Sequence, residues 1–168
     1  MPCVVADTSP LLYLARLELL PILRALYGKV HVPSVVWSEA LAGETAHPSI
    51  IPQFHAATEE GWMVVSPTSP ELRPLELAGL DAGERAAIAL AQTLNAALLI
   101  DERLGRSVAK RLGLKIAGTL GVLAAAKQAS LVVELKPLFR TLRTETNFRF
   151  SLRLENELLA AAGESPNP

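Results

Sequence analysis

Residues 97–117 read ALLIDERLGRSVAKRLGLKIA, and this stretch decides the fold. Ala97 to Ile100 is an apolar run of strand length. Glu102 to Leu112 follows with apolar residues at helical spacing, Gly113 stops it, and Leu114 to Ala117 is a second short apolar run. Strand, helix and strand in immediate succession make a βαβ crossover, which joins parallel neighbours in one sheet. Asp101 follows the first strand directly, at the edge where α/β sheets carry their sites.

The same alternation extends upstream. Cys3 to Ala6 is a first strand, and Ser9-Pro10 supplies an N-cap and first-turn pair. A helix is expected from Pro10 to about Leu26, with Leu11, Leu14, Leu17, Leu20 and Leu23 as its stripe. Gly28 closes it, and Val30 to Val32 is a second strand. Pro33-Ser34 opens a helix that carries Glu39 and ends at Gly43. A helical stretch from Ser49 to Glu60 leads to a third strand, Trp62 to Val65. The Pro- and Ser-rich segment Ser66 to Pro74 reads as a loop, before an alanine-rich helix from Ala82 to Asn95. Downstream, Thr119 is a natural N-cap. Helical segments at Pro137 to Thr144 and Leu152 to Ala162 flank a Phe148-Arg149-Phe150 patch, and the ending GESPNP is expected to be disordered. The pattern predicts an α/β fold, a three-layer α/β/α sandwich around a parallel sheet of about five strands. Residues 1–146 would form the domain and 147–168 a helical extension and tail.

Composition agrees. Half of the 168 residues are hydrophobic but only 5% are aromatic. A core of Leu, Val, Ile and Ala suits helices packed on a sheet buried on both faces. No apolar run is long enough to span a bilayer. The start, MPCVVADTSP, lacks a basic n-region, and the single cysteine, Cys3, has no partner for a disulfide. A cytoplasmic protein without a membrane segment is expected. The net charge of −1 hides an asymmetry, since Asp101 to Arg153 holds 11 Lys/Arg against 4 Asp/Glu. A basic half beside acidic residues suits a polyanionic partner, although solvated helix faces would give the same pattern.

Four acids stand beside strand ends or helix starts: Asp7 in CVVADTSP, Glu39 in VPSVVWSEAL, Glu84 in LDAGERAAIALA and Asp101. Each has two readings. Asp7 is a turn or cap aspartate, or a metal ligand at the end of the central strand. Glu39 is an exposed helix glutamate, or one that reaches Asp7. Asp81-Ala82-Gly83-Glu84 has capping-box spacing, yet also leaves a carboxylate in the first turn, where the helix dipole favours its charge. Capping and ligation compete there for the same oxygens. Asp101 is an N-cap followed by a dipole-favoured Glu102, or a metal ligand with Glu102 as flanking acid. Converging carboxylates are hard oxygen donors suited to Mg²⁺ or Mn²⁺. Arg103 and Arg106, about one turn apart, would grip phosphate or solvate the surface. His31, His47 and His55 have no metal-ligand spacing. Gly-rich phosphate loop, nucleophile elbow and Cys/His cluster are all missing.

Taken in order, D-T-S-P-L, P-S-V-V-W-S-E, L-D-A-G-E-x-x-A-I-A-L-A, L-L-I-D-E-R and G-T-L-G-V-L resemble the PIN domain across roughly Val4 to Leu142. The nearest likeness is to a PIN-like branch common in bacteria and archaea. The resemblance implies strand order 3-2-1-4-5 and a metal-dependent ribonuclease site holding one or two Mg²⁺ or Mn²⁺ ions. It gives Asp7, Glu39, Glu84 and Asp101 the catalytic, metal-holding positions. Many relatives have aspartate where Glu84 stands. Thr8, Ser9 and Thr119 fall where PIN proteins place hydroxyls near the metal. It further implies an RNA substrate, and in many members a toxin role with a small antitoxin partner and a homodimeric state. A non-catalytic RNA- or protein-binding module that keeps the fold is the alternative. A receiver-like signalling domain ranks low, because Lys115 begins the fifth strand instead of ending it.

Overall fold

A computed structural model describes residues 3–43, 48–68 and 75–168. The chain falls into two compact units, Met1–Thr119 and Leu120–Pro168. The boundary read from the sequence, at residue 146, lies inside the second unit, and His47 and residues 69–74 of the expected Ser66–Pro74 loop lie outside the described residues.

The first unit is built on five parallel strands, β1 (Cys3–Ala6), β2 (Lys29–Pro33), β3 (Met63–Ser66), β4 (Ala97–Leu99) and β5 (Ile116–Ala117). Their order is β3-β2-β1-β4-β5, the order that the PIN resemblance implied. The register pairs Val4 with Val30 on one side of β1 and Ala6 with Leu99 on the other. Side chains alternate faces along each strand. Val5, Leu98 and Ile100 pack on one face against Ala87, Ile88 and Ala91 of α5 (Ala82–Leu94) and Val108 and Ala109 of α6 (Arg103–Arg111). Val4, Ala6 and Leu99 turn to the other face and are equally buried. A sheet buried on both sides is the middle layer of a three-layer α/β/α sandwich. The alanines of α5 let that helix lie close to the strands without splaying them.

One expected helix is two. The stripe from Pro10 to Leu26 divides into α1 (Thr8–Arg16) and α2 (Ile22–Tyr27). Pro21 explains the break: it has no N–H to continue the ladder, and it disfavours helical backbone at Leu20. Glu18 takes a left-handed conformation (φ 58°), and the Leu19 amide donates back to the Leu14 carbonyl at 2.9 Å, which closes the end of α1. The start of α1 also shifts. Thr8, Ser9 and Pro10 form its first turn, so Asp7 and not Ser9 stands at the N-cap. The helix bearing Glu39 is α3 (Ser34–Ala42), which leaves β2 without an intervening loop, and α4 (Ile50–Glu59) leads into β3.

The second unit contains most of α7 (Thr119–Gln128), with α8 (Lys136–Glu145) and α9 (Leu152–Ala161). Leu123, Phe139, Leu142 and Leu159 are fully buried. The Glu164 carboxylate accepts from the Leu135 and Lys136 amides at 2.7 and 3.0 Å, capping the start of α8. Arg143 pairs with buried Glu155 and lies 4.4 Å over the Phe150 ring. Near the chain end, the Asn167 amide donates to Asn156 Oδ1 at 2.8 Å.

Leu98 sits at the centre of the shared core and is 0% exposed. Leu98→Ala should cost about 2–5 kcal/mol, read as a lower urea midpoint at unchanged m. A loss well under about 1 kcal/mol would contradict a β4 packed on both sides.

Candidate active site

Because the strands are parallel, their C-terminal ends share one edge, and the sequence-selected acids gather there. Asp7 follows β1, and its amide donates to the Leu99 carbonyl at 2.9 Å, extending the pairing past the end of β1. Asp101 therefore follows the neighbouring strand. Glu39 arrives from α3, and Thr8 Oγ1 donates to its Oε2 at 2.8 Å. That bond ties α3 to the start of α1. Ser9 lies in the same first turn, half-buried.

The capping readings resolve acid by acid. Asp7 occupies the N-cap position of α1, but its side chain makes no capping bond. Asp101 does not cap α6 either. Glu102 does, accepting from the Leu104 amide. Both Asp101 oxygens are taken by one residue: Thr119 donates its amide to Oδ1 at 2.7 Å and its hydroxyl to Oδ2 at 2.6 Å.

Glu84 is the informative case. The Asp81 amide donates to Glu84 Oε2 at 3.0 Å, and the Glu84 amide donates to Asp81 Oδ1 at 2.8 Å, a complete capping box. Glu84 is only 6% exposed, and its Oε1 is buried with no hydrogen-bond partner among the described residues. Capping and ligation thus need not compete. One oxygen caps the helix, and the other is left open at a cost that a cation would offset.

The acids share an electric field. Asp7 is 5% exposed, and its carboxyl is pushed up to about 7, first by burial and then by Asp81, Glu84 and Glu39, against the Thr8 backbone N–H. Glu84 is raised by burial, and Asp81, Glu102 and Glu39 add to the shift against its backbone bond at Asp81. Asp101 is also raised by burial, but Thr119 and then Arg106 oppose the shift. Asp7, Glu39 and Glu84 therefore form one group, with Asp81 as a further member, while Asp101 answers to Thr119 and Arg106. Sequence reasoning gave Asp81 a capping role alone. The signal was present in the capping-box spacing, which holds two carboxyls within one turn.

As the side chains stand, no three His, Cys, Asp or Glu among the described residues lie close enough to hold one ion. The donor chemistry nevertheless fits a hard divalent cation: carboxylate oxygens only, one of them buried and unbonded.

Beside Asp101 runs an open groove of about 430 Å³, lined by Asp101, Arg103, Arg106, Ser107 and Lys110. These helical positions recur at three- and four-residue spacing, on one face of α6. Arg106 Nη1 is committed, donating to the Ile100 carbonyl at 2.9 Å. Arg103 and Lys110 are exposed and make no ion pair among the described residues.

Fold and site together define a class, the parallel α/β/α domains whose sheet edge gathers carboxylates beside a cationic groove. A family model of the PIN domain matches residues 3–164, and the chain belongs to the PIN-domain family. PIN domains are generally nucleases, which places the chain at that coarse level among hydrolases. A search of curated proteins finds no match. Among the described residues, no helix is long and apolar enough to cross a membrane.

The Asp7 shift carries a pH signature. Its folded value of about 7 exceeds the ordinary 3.8, so the folded metal-free protein holds a proton that the unfolded chain releases. Stability should fall as pH rises from about 4 to about 7, and Asp7→Asn should flatten that decline. Thermal melts across this range in chelator test it, and identical pH profiles for the two proteins would contradict the shift.

Proposed function

We propose that this PIN domain is an endoribonuclease dependent on Mg²⁺ or Mn²⁺, hydrolysing RNA phosphodiester bonds. The observation that carries the reading is Glu84 Oε1, buried and without a hydrogen-bond partner among the described residues, on a carboxylate whose charge raises the pKa of Asp7. Asp7, Glu39, Glu84 and Asp101 would hold one or two ions. A bound divalent cation would supply water activation and charge stabilisation at phosphorus.

The chain's own groups do the rest. Thr8 orients Glu39, Thr119 fixes both oxygens of Asp101, and the Asp81 amide holds Glu84 by Oε2. Ser9 and Glu102 flank the acids as auxiliary groups, with Glu102 also capping α6. Arg103, exposed and without an ion pair among the described residues, would offer its guanidinium to a phosphate, and Arg106 steadies the strand end beside Asp101. The finer parts of the proposal are a toxin role, restraint by a small antitoxin protein, and a homodimer.

One observation favours a second reading, an RNA- or protein-binding module without turnover: no three acids among the described residues stand ready around one ion. Cleavage separates the two readings. With Mg²⁺ or Mn²⁺, the wild-type protein should cut members of an RNA panel, and Asp7→Asn and Asp101→Asn should each lower the rate at least about 100-fold. Equal cleavage by the variants would mark a contaminant and sink the nuclease reading. Tight binding without turnover would support the module.

The groove on α6 gives an independent test. Binding of single-stranded RNA, measured with Asp7→Asn protein to prevent cleavage, should weaken with salt. Adding Arg103→Ala or Lys110→Ala should each lower the slope of log K against log salt by about 0.7. An unchanged slope in both would remove the groove from the RNA path.

A further inference from the structure

Three glycines stand where three of the site carboxylates rest. Gly83 lies in the first turn of α5, Gly105 in the first turn of α6, and Gly118 between β5 and α7. None of the three has a positive φ, so the backbone does not require glycine at any of them. Two are helical, where alanine is the better helix former. Their reason for being glycine lies in what surrounds the missing side chain.

A Cβ on Gly83 would stand 2.4 Å from Glu39 Oε2 and 3.2 Å from Glu39 Cδ and Oε1. On Gly105 it would meet Ile100 Cδ1 at 2.5 Å and Glu84 Oε1, the unbonded oxygen, at 3.0 Å. On Gly118 it would meet Asp101 Oδ1 and Arg106 Nη1, each at 2.8 Å. Ordinary contact begins near 3.4 Å. The space is filled by Glu39 alone at Gly83, by Asp101 and Arg106 together at Gly118, and mainly by Ile100 at Gly105.

We propose that Gly83 and Gly118 are positioning residues, each a seat that fixes where one carboxylate, of Glu39 and Asp101 respectively, can lie, while Gly105 makes room first for Ile100 and then for Glu84 Oε1. The geometric claim stands on these contacts alone, and its consequence for metal binding rests on the nuclease reading above. Gly83 is the cleanest case, because every close atom there belongs to the end of one flexible side chain. Gly83→Ala would not break the fold. It would displace Glu39 Oε2, the oxygen that accepts from Thr8, by about 1 Å. Displacements of that size are large for a preorganised site.

The sign of the effect separates a seat from an ordinary helix glycine. In metal-free protein, Gly83→Ala should leave Tm almost unchanged in the wild-type background. It should raise Tm by roughly 2–4 °C in a Glu39→Ala background, where the carboxylate is gone and helix propensity acts alone. With Mn²⁺, the wild-type Tm should rise. Gly83→Ala should weaken the apparent Mn²⁺ affinity at least about tenfold. Glu39→Asp, shorter by one methylene, should restore part of the response in the Gly83→Ala protein while weakening it in the wild-type background. Additive Tm changes in the metal-free cycle, or an Mn²⁺ response unaltered by Gly83→Ala, would overturn the proposal. A wild-type protein that ignores Mn²⁺ while the metal-free cycle remains coupled would sink the metal reading and leave the seat standing.

Discussion

Carboxyls brought to one edge of a sheet, Asp7 and Glu84 buried and Glu39 and Asp101 half-buried, repel each other and lose solvation, and the rest of this site is arranged around that constraint. The parallel sheet imposes it. Every strand of a βαβ sheet delivers its C-terminus to the same edge, so Asp7 and Asp101 arrive as neighbours from β1 and β4. Glu39 and Glu84 come in from α3 and α5. The protein handles the acids differently. At Asp101 two bonds from Thr119, and then Arg106, oppose the upward shift that burial imposes. Glu39 receives the Thr8 hydroxyl. Among the described residues no side chain bonds Asp7 in this way, and burial pushes its carboxyl up to about 7.

The length of Glu84 is part of the same arrangement. A side chain at the third helical position must bend back to reach the N-cap amide. Here Oε2 makes that bond and Oε1 is turned the other way, against Gly105. Removing the capping box would therefore do more than loosen the start of α5. It would free the whole carboxylate, and the unbonded oxygen would lose its fixed direction.

Much of this was legible in the sequence, for identifiable reasons. The βαβ reading of residues 97–117 held because the apolar period changes at Asp101 and the helix stops at Gly113, whose φ is 79°. The strand order followed from motifs in a fixed sequence. The break between α1 and α2 was also written there, in Pro21, but the leucine stripe runs through it and masks it. Other features depend on contacts between distant residues. The capping-box spacing announced Glu84 but could not show that its two oxygens would be divided. Nor could spacing show that Glu102 caps α6 while Asp101 turns to Thr119, since either acid suits an N-cap. A glycine inside a helix reads only as a weak helix former until the carboxylate above it is seen.

The same division of labour bears on how the site would respond to a cation. Asp101 and Glu39 are already held by hydroxyl donors, and since no three acids among the described residues stand close enough for one ion, an ion would have to draw carboxylates together against those bonds. Asp7 would have to give up its proton, because a ligating carboxylate must be ionised. Glu84 Oε1 has no hydrogen-bond partner to give up among the described residues. This edge would thus need both positive charge and a shift of its carboxylates toward one another. Asp7 and Glu84, the most deeply buried of the four acids, would gain most from that charge.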